Sequence, residues 1–458
     1  MHQVIHAQLI PSRPATAREK IDRLIVLIDV ALSRQVNAIL HHPEFQALEA
    51  RWRGLHYLVS VATDVSRVIV KVLSVSWREL CRDLDRASEF DQSHLFNLIY
   101  SQEFGMPGGE PFGLLLGDYA VGHRINPESG TDDIAALRSL AGIAAAAFAP
   151  LLVAARPDLL QIDDFADLDL LPDMSRLFDH ADYGRWQSLR ALEDTRFLGI
   201  LAPRVLIRLP LKPYDRRRID GFMFEEHVTA SGQELLWANA VYAFGRIVIR
   251  AFGEAGWFAN LRGAPQDAEG GGLVTDLPTP YFGTDRPALA AQPPVEIRLT
   301  STQERTLSDL GLIPVGVTPS TPYLVFNANP SLHRPPRMQD RIEEESARIA
   351  AMMQYVLCAS RFAHHLKVMM RDRIGSIGSP AEIESMISAW LQRHCLGNDD
   401  APIELKAKFP LRDASVSVRE LPGRPGVLGC NLRLQPHFQI DDVAANFQLL
   451  AEVSTAPV

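Results

Sequence analysis

Helical and strand-like hydrophobic patterns alternate along most of this chain, and this alternation restricts the fold more than any other feature. Apolar residues recur at three- and four-residue spacing from residue 17 onwards, whereas residues 67–75, RVIVKVLSV, alternate as in a strand. Further helices are expected over 43–58, after 76, over 92–103, 132–149, 234–252, after 301, and over 338–371 and 380–395. Further strands are expected over 112–117, 151–154, 197–209, 295–299, 323–327, 414–420, 427–434 and 447–453. This order predicts a mixed α/β fold.

The length of the chain, 458 residues, predicts more than one domain, because a single hydrophobic core rarely grows beyond about 250–300 residues. The Pro-rich segment 329–337 is the best candidate for a boundary. We therefore predict an N-terminal arm and tether at 1–15, a body at 16–328, a joint at 329–337 and a C-terminal domain at 338–458.

The N-terminus holds a short apolar strand without a hairpin partner. Residues 3–10 read QVIHAQLI, Pro11 ends the strand, and no periodic apolar pattern follows until residue 17. A strand outside a hairpin leaves its backbone groups unpaired, so it must join another sheet edge. We expect an extended arm on a tether, and the edge that it joins could belong to another chain.

Composition and charge exclude several classes of protein. The net charge of −9 argues against nucleic acid as the main partner. No stretch approaches the ~20 apolar residues of a membrane-spanning helix, and no secretory signal pattern is evident. Cys81, Cys358, Cys395 and Cys430 have no CxxC spacing, which suits a reducing compartment. We expect a cytoplasmic protein without membrane insertion.

No motif in the sequence predicts catalysis or cofactor binding. The Gly-rich loop 105–113 lacks the Lys-Ser/Thr ending of a phosphate-binding loop and precedes a strand. His41-His42 and His364-His365 are adjacent pairs, which point about 100° apart on a helix and do not chelate one metal. No GxSxG nucleophile elbow is present. We expect a protein that is not an enzyme, with no catalytic, cofactor-binding or metal site.

Adjacent carboxylates occur at several places, including Asp163-Asp164, Glu193-Asp194 and Glu225-Glu226. Such pairs are typical of solvated surfaces, and they indicate function only where a pocket shifts their pKa values. We assign them no chemistry.

A series of segments stands in the order in which one protein family carries them. The first is AILHHPEFQALEARWRGLHYLV at 38–59, with the signature residues His41, His42, Pro43, Glu44, Phe45, Trp52, Arg53, Gly54 and Leu55. Others are RDLDRASEFD at 82–91, EFGMPGGEPFGLLLGDY at 103–119, WANAVYAF at 237–244, SRFAHHLKVMMRDRIGS at 360–376, PLRDASV at 410–416 and QPHFQ at 435–439. Over nearly the whole chain, the sequence resembles the large subunit of the type VI secretion contractile sheath, the TssC/VipB family.

The resemblance implies a structural role. Members of this family pair with a small sheath subunit of the TssB/VipA type, and the heterodimers polymerise with neighbouring copies around an inner tube of stacked hexamers. The sheath assembles on a membrane-anchored baseplate in the cytoplasm, and its contraction propels the tube and its effectors. An AAA+ ATPase, engaged through the small subunit, then disassembles it. Residues 16–328 would form the outer body and residues 338–458 the inner sheath domain.

The resemblance also implies that neighbouring protomers exchange strands. An N-terminal arm joins a sheet of a neighbour's C-terminal strands, which a strand of the small subunit completes. The donor residues would be Val4, Ile5, His6, Ala7, Gln8, Leu9 and Ile10. The acceptor platform would hold Leu428, Asn431, Leu432, Arg433, Leu434, Phe447, Leu449 and Ala451.

The region before the first helix is shorter than is usual in this family. A tether over roughly 11–17 spans about 25 Å at most, at ~3.3–3.6 Å per residue.

Two alternative functions stay open: a phage-like contractile tail sheath or scaffold protein outside secretion, and an α/β enzyme with an unrecognised site.

Overall fold

The structure is a computed structural model with both helices and sheets, which confirms the mixed α/β class. It describes residues 16–104, 106, 108–126, 129–171, 173–212, 222, 224–229, 232–265, 269–280, 292–319, 321–371, 380–398, 400–420, 427–437 and 447–454. Its helices are α1 (Ala17–Leu40), α2 (Pro43–Ala62), α3 (Trp77–Arg86), α4 (His94–Phe96), α5 (Gln102–Phe104), α6 (Asp133–Ala147), α7 (Gly184–Arg190), α8 (Val241–Ala255), α9 (Ser301–Asp309), α10 (Arg341–Ala350), α11 (Met353–Arg371), α12 (Pro380–Gln392) and α13 (Ile403–Lys408). Its strands are β1 (Leu115–Val121), β2 (Leu151–Ala155), β3 (Leu198–Ala202), β4 (Val205–Arg208), β5 (Leu236–Ala238), β6 (Leu273–Val274), β7 (Ile313–Pro314), β8 (Gly316–Val317), β9 (Leu324–Val325), β10 (Leu411–Glu420), β11 (Val427–Pro436) and β12 (Phe447–Ser454).

The chain divides into two compact units. The first contains residues 1–50 and 208–236, and the second contains residues 51–207 and 237–458. The segment 329–337, expected as a joint, lies within the second unit. There the Leu332 amide donates a hydrogen bond to the Leu198 carbonyl oxygen at 2.8 Å. The arm, outer body and inner domain stay predictions about the assembled protein.

In the first unit, α1 begins at a capping box. The Thr16 hydroxyl accepts from the Glu19 amide, and the Glu19 carboxylate accepts from the Thr16 amide at 2.8 Å. This arrangement satisfies two backbone donors that a helix N-terminus otherwise leaves open. No residue of α1 is buried, although apolar side chains fill much of the helix.

The core of the second unit is a parallel sheet with the strand order β1-β2-β3-β7. Every residue of β2 and β3 is buried. A parallel sheet is covered on both faces, so its strands are apolar throughout and do not alternate. The continuous runs at 151–155 and 198–202 are of this kind.

Helix α6 packs into this core along most of its length, because its Ala-rich sequence allows neighbouring elements to approach closely. The buried Asp133 side chain accepts from Trp77 Nε1 at 2.8 Å and from the Gly122 amide at 3.0 Å. At the other end, His364 Nε2 donates to the Ala147 carbonyl oxygen at 2.9 Å. Lys367 Nζ donates to the Ala146 carbonyl oxygen at 3.4 Å. Helix α11 therefore supplies donors for the last carbonyls of α6.

An aromatic cluster links α11 to α12 and to the loop after α8. The Trp257 ring stacks on the Phe362 ring with centroids 4.2 Å apart, and the His365, Trp390 and His394 rings lie within 6 Å of this pair or of one another. Burial lowers the pKa of His365 to about 4, and it lowers the pKa of His364 to about 3. Both imidazoles are therefore neutral at pH 7.

The helix expected over 338–371 is two helices, α10 and α11. The chain leaves the helical path at 351–352, where Ser331 N donates to Ala351 O and Met353 N donates to Asn329 O. These bonds from a distant segment replace the i→i−4 bonds of a continuous helix.

Other differences from the expected elements have local causes. Residues 67–75 lie in no sheet of the described chain, so the strand expected there is wrong. The helix expected over 92–103 is α4, a π-helical turn at Asn97–Ser101 and α5. The helix expected over 234–252 begins at Val241, because residues 236–238 form β5. The strand expected over 112–117 forms as β1, which begins at Leu115. In place of the strand expected over 295–299, the described residues show an isolated bridge between Val295 and Val205.

We predict that Gly54→Ala destabilises the second unit. A Cβ at residue 54 would lie 2.5 Å from the Tyr242 ring, which is buried. Overpacking of this kind lowers the free energy of unfolding by about 1–3 kcal/mol, and the higher helix propensity of Ala offsets about 1 kcal/mol of this loss. Urea unfolding measures the difference. Gly184→Ala is the matched control, since nothing lies within 4 Å of its added Cβ; equal stabilities for the two variants would contradict the prediction.

We also predict that the stability of the second unit falls as the pH decreases from 6.5 towards 4.5. The folded pKa values of His364 and His365 are depressed, so in this range the unfolded chain binds more protons than the folded chain. Replacing His365 by Phe removes one group that takes up a proton on unfolding. The slope of the unfolding free energy against pH should therefore decrease by up to about 1.4 kcal/mol per pH unit. Urea unfolding at stepped pH measures this slope, and an unchanged slope in the variant would rule the assignment out.

Candidate assembly interface

The C-terminal sheet presents the first candidate surface for assembly. Strands β10, β11 and β12 form an antiparallel sheet in that order, as the strands expected at 414–420, 427–434 and 447–453 require. Val418 lies opposite Cys430, and Cys430 lies opposite Ala451. Because β11 is paired on both sides, a further strand can join this sheet only at the outer edge of β10 or of β12.

The outer edge of β10 is covered by side chains from α12. Glu384 accepts from the Val418 amide at 3.0 Å, and Gln392 donates to the Ala414 carbonyl oxygen at 3.3 Å. These contacts occupy backbone groups that an added strand would need. Within the described residues, β12 is therefore the edge that stays available for an added strand.

The predicted platform residues divide by their position in this sheet. Leu432 and Leu434 are buried, whereas Asn431 and Arg433 are exposed on the other face. For Leu428, Phe447, Leu449 and Ala451 the structure gives backbone register only. The predicted donor residues, Val4 to Ile10, lie outside the described residues. The pairing of donor and platform stays a prediction.

The family-signature segment lies at the junction of α1 and α2. His41 follows the last residue of α1, and its amide donates to the Asn37 carbonyl oxygen at 2.9 Å. His42 and Glu44 are exposed, as are Pro43, Phe45 and Arg53, and Leu55 is partly buried. The Trp52 side chain is 66% exposed, and Gly54 provides the close approach to Tyr242 described above.

A buried ionic network holds the segment after β4 in the first unit. The Arg208 guanidinium donates to both carboxylate oxygens of Glu226, and its Nε lies 2.8 Å from Glu49 Oε1. His41 Nε2 lies 3.2 Å from Glu226 Oε1, and the Leu211 amide donates to Glu226 at 2.8 Å. The expectation that Glu226 is solvated is wrong, because its neighbours in space and not in sequence bury it.

Electrostatics within this network favour the ionised forms. Burial of Glu226 raises its pKa, but the hydrogen bonds from Arg208 and Leu211 outweigh burial and hold the pKa below its ordinary value. Burial lowers the pKa of Arg208, and the hydrogen bond and charge of Glu226 reverse this effect. The network is a structural ion pair supported by hydrogen bonds to Glu226, which fixes the backbone at residue 211 near the junction of α1 and α2.

Helix α1 presents an apolar surface that sequence analysis did not anticipate. Its apolar residues at three- and four-residue spacing include Ile21, Leu24 and Ile28, and all three side chains are exposed. Leu27, which lies outside that series, is 64% exposed. The signal in the sequence was the presence of apolar residues on several faces, which is typical of a helix surrounded by partners.

The described residues contain no group of three or more His, Cys, Asp or Glu side chains that could hold a metal ion. A cavity of about 70 Å³ is lined by residues that include Phe258, Gln354 and Cys358. Its volume is well below the ~300–1,000 Å³ of ordinary ligand sites. Burial raises the pKa of the Cys358 thiol to about 12, so this thiol is un-ionised at neutral pH.

In the described part of the chain, no single helix is long and apolar enough to cross a membrane. Helices α1 and α2, bent by 70° at their junction, meet the length and composition criteria only as a pair.

Two family models match the chain along most of its length. The first, VipB, described as the EvpB/VC_A0108 tail sheath N-terminal domain, matches residues 22–333. The second, VipB_2, described as the EvpB/VC_A0108 tail sheath gpW/gp25-like domain, matches residues 342–453. The chain is also 33% identical, over 446 residues, to the type VI secretion system sheath protein TssC1 of Pseudomonas aeruginosa strain PAO1. This match covers 96% of the chain and 87% of the relative.

The chain belongs to the type VI secretion sheath family. The resemblance of the signature segments to the TssC/VipB large subunit is thus confirmed. The family is a structural one and not a family of enzymes. Sheath subunits of this kind associate with a small sheath subunit and with copies of themselves.

We predict that Arg208→Met in this sheath subunit destabilises the first unit by about 3 kcal/mol, because the Glu226 carboxylate would stay buried without its main partner. The double variant Arg208→Met with Glu226→Gln should recover a large part of this loss, since the Glu226 charge is removed together with its main partner. Urea unfolding of the three proteins measures both effects. A double variant no more stable than the single one would show that the ion pair does not account for the loss.

Proposed function

We propose that this sheath subunit forms a heterodimer with the small sheath subunit, and that the heterodimers polymerise into a contractile tube around an inner tube. The open edge of β12, in a chain of the sheath family, is the observation that carries this proposal. Subunits joined by added strands can rotate and slide in a lattice while their ladder hydrogen bonds stay intact.

The strand that joins β12 is the N-terminal strand of a neighbouring protomer. Residues 5–9 alternate apolar and polar side chains, and the segment 4–10 has a length close to that of β12, which has eight residues. The antiparallel order of the sheet leaves β12 at the edge, and α12 covers the opposite edge. An arm that adds to β12 would give four strands from two chains in this sheet, which a strand of the small subunit would complete.

The exposed apolar residues of α1 and α2 support contact with other subunits. Leu24, Leu27 and Leu48 are exposed, as is Trp52. Exposed apolar side chains in this number are rare on a protein that acts as a monomer. Their burial between subunits would add hydrophobic stabilisation of about 25 cal/mol per Å² to the assembly.

The energy for contraction is stored in the lattice. No phosphate-binding motif supplies nucleotide energy, so the extended sheath is a metastable state that passes to a contracted state with more buried surface. The sheath assembles on a membrane-anchored baseplate, surrounds an inner-tube hexamer protein, and is dismantled by an AAA+ ATPase that engages the small subunit. The chain itself catalyses no reaction and stays in the cytoplasm.

We predict that deletion of residues 1–10 abolishes long tubes and preserves the heterodimer, because the deletion removes the exchanged strand only. Co-expression with the small subunit, followed by electron microscopy and size-exclusion chromatography, measures both outcomes. Asp163→Ala is the control, since Asp163 is exposed and has no assigned role, and it should give tubes of normal length. Tubes of normal length from the deletion would exclude strand donation by the arm.

A further inference from the structure

Residues 67–75 lie between α2 and α3, and beyond the turn at Arg67 the segment is extended and built like a strand. It is apolar at every position except Arg67, Lys71 and Ser74, and most of its apolar residues are β-branched. Such a composition favours a sheet over a solvated loop, because loops are mostly polar and rich in turn residues. The segment nevertheless lies in no sheet of the described chain.

The backbone of this segment lacks the hydrogen bonds of a strand. Within the described residues, no amide or carbonyl group of residues 66–74 bonds to another backbone group. Ile69 and Val72 are each 67% exposed, and Leu73 is 56% exposed. Residues 69 and 72 point to opposite faces of an extended chain, so apolar side chains are exposed on both faces, although Val68 and Val70 are partly buried.

The C-terminal end of the segment is held in place, and its N-terminal end follows a turn. At its C-terminal end, the Tyr119 hydroxyl donates to the Val75 carbonyl oxygen at 2.7 Å, and Ser76 starts α3 with a capping box to Glu79. Trp77 lies against the Tyr119 ring with centroids 5.0 Å apart. At its N-terminal end, Arg67 has φ of 75°, which turns the chain out of the end of α2.

The middle of the segment is attached by a single side chain. Lys71 Nζ donates to Glu103 Oε1 at 2.6 Å and lies 5.1 Å from the centre of the Phe112 ring. An extended backbone fixed at its C-terminal end and in the middle loses less conformational freedom than a free loop when another strand binds it. The segment is therefore organised in advance as a docking edge.

We propose that residues 67–75 are an edge strand that pairs with a β-strand of the small sheath subunit. This inference rests on the proposed function and specifies a contact within the heterodimer. The partner strand is extended and carries apolar side chains at alternate positions, which cover Ile69 and Leu73 on one face or Val70 and Val72 on the other. Main-chain hydrogen bonds hold the two strands together.

The charges of the segment favour a strand of different sequence over a second copy of this chain. In the full-length antiparallel self-pairing, residue 71 lies opposite residue 71, which sets two lysines against each other. A parallel in-register pairing sets both Arg67 and Lys71 against themselves. Like charges directly opposite each other destabilise a strand pair, and a strand from the small subunit avoids this repulsion.

Hydrogen–deuterium exchange measures the pairing directly. The amides of residues 68–74 should exchange at unprotected rates in the chain purified alone, and about 100-fold more slowly in its complex with the small subunit. Equal exchange rates in the two samples would overturn the inference. Protection in the chain alone, or protection that appears only in assembled tubes, would assign the edge to the chain itself or to a neighbouring copy and would also overturn it.

Proline substitutions give a second, independent test. Ile69→Pro and Val70→Pro remove amides that point to opposite edges of the strand, so one of them should weaken binding of the small subunit by about tenfold or more. Val70→Thr is the matched control, because it keeps the amide and the β-branched shape, and it should bind as the unchanged chain does. Normal binding by both proline variants would refute the contact.

Failure of this inference is distinguishable from failure of the proposed function. If the unchanged chain and the small subunit form a complex in which residues 68–74 exchange freely, only the strand contact is wrong. If they form no complex and no tubes, the proposed function is wrong and the strand contact with it.

Discussion

The carbonyl groups at the C-terminal end of α6 must find donors inside the protein, and the packing of the second unit depends on how they do so. His364 and Lys367 of α11 reach Ala147 and Ala146, so two segments more than 200 residues apart in sequence become neighbours. Lys367 also lies 4.8 Å from the centre of the Phe148 ring, where burial lowers the pKa of its amine to about 8. A neutral imidazole and a desolvated amine are costly to bury, and the helix end compensates by accepting their hydrogen bonds.

Local patterns were sufficient for elements whose determinants lie within a few residues. The helix expected over 43–58, the helix expected after residue 76 and the strands expected at 414–420 and 427–434 are all confirmed. The break between α10 and α11 had no such signal, because it depends on backbone groups near residue 330. The burial of Glu226 likewise depends on Arg208, which a surface interpretation of adjacent carboxylates could not include.

The candidate interface was predictable in part. Strand periodicity located β10, β11 and β12, and the family resemblance supplied their expected role. Neither could indicate that Glu384 and Gln392 cover one edge of that sheet, since a side chain on a helix reaches a strand only through tertiary packing. The failure of 67–75 to join a sheet is informative for the same reason: its sequence favours a strand, and the described part of the chain supplies no partner for it.

The exposure of α1 has a consequence for how a cell must produce this protein. A subunit synthesised in excess of its partner would display Leu24, Leu27 and Ile28 to the solvent, together with any other uncovered apolar surface. Chaperones and proteases recognise such surfaces, so orphan copies would be degraded or would aggregate. The amount of this protein that accumulates should therefore follow the supply of its companion, and matched translation of the two genes would matter as much as the strength of either promoter.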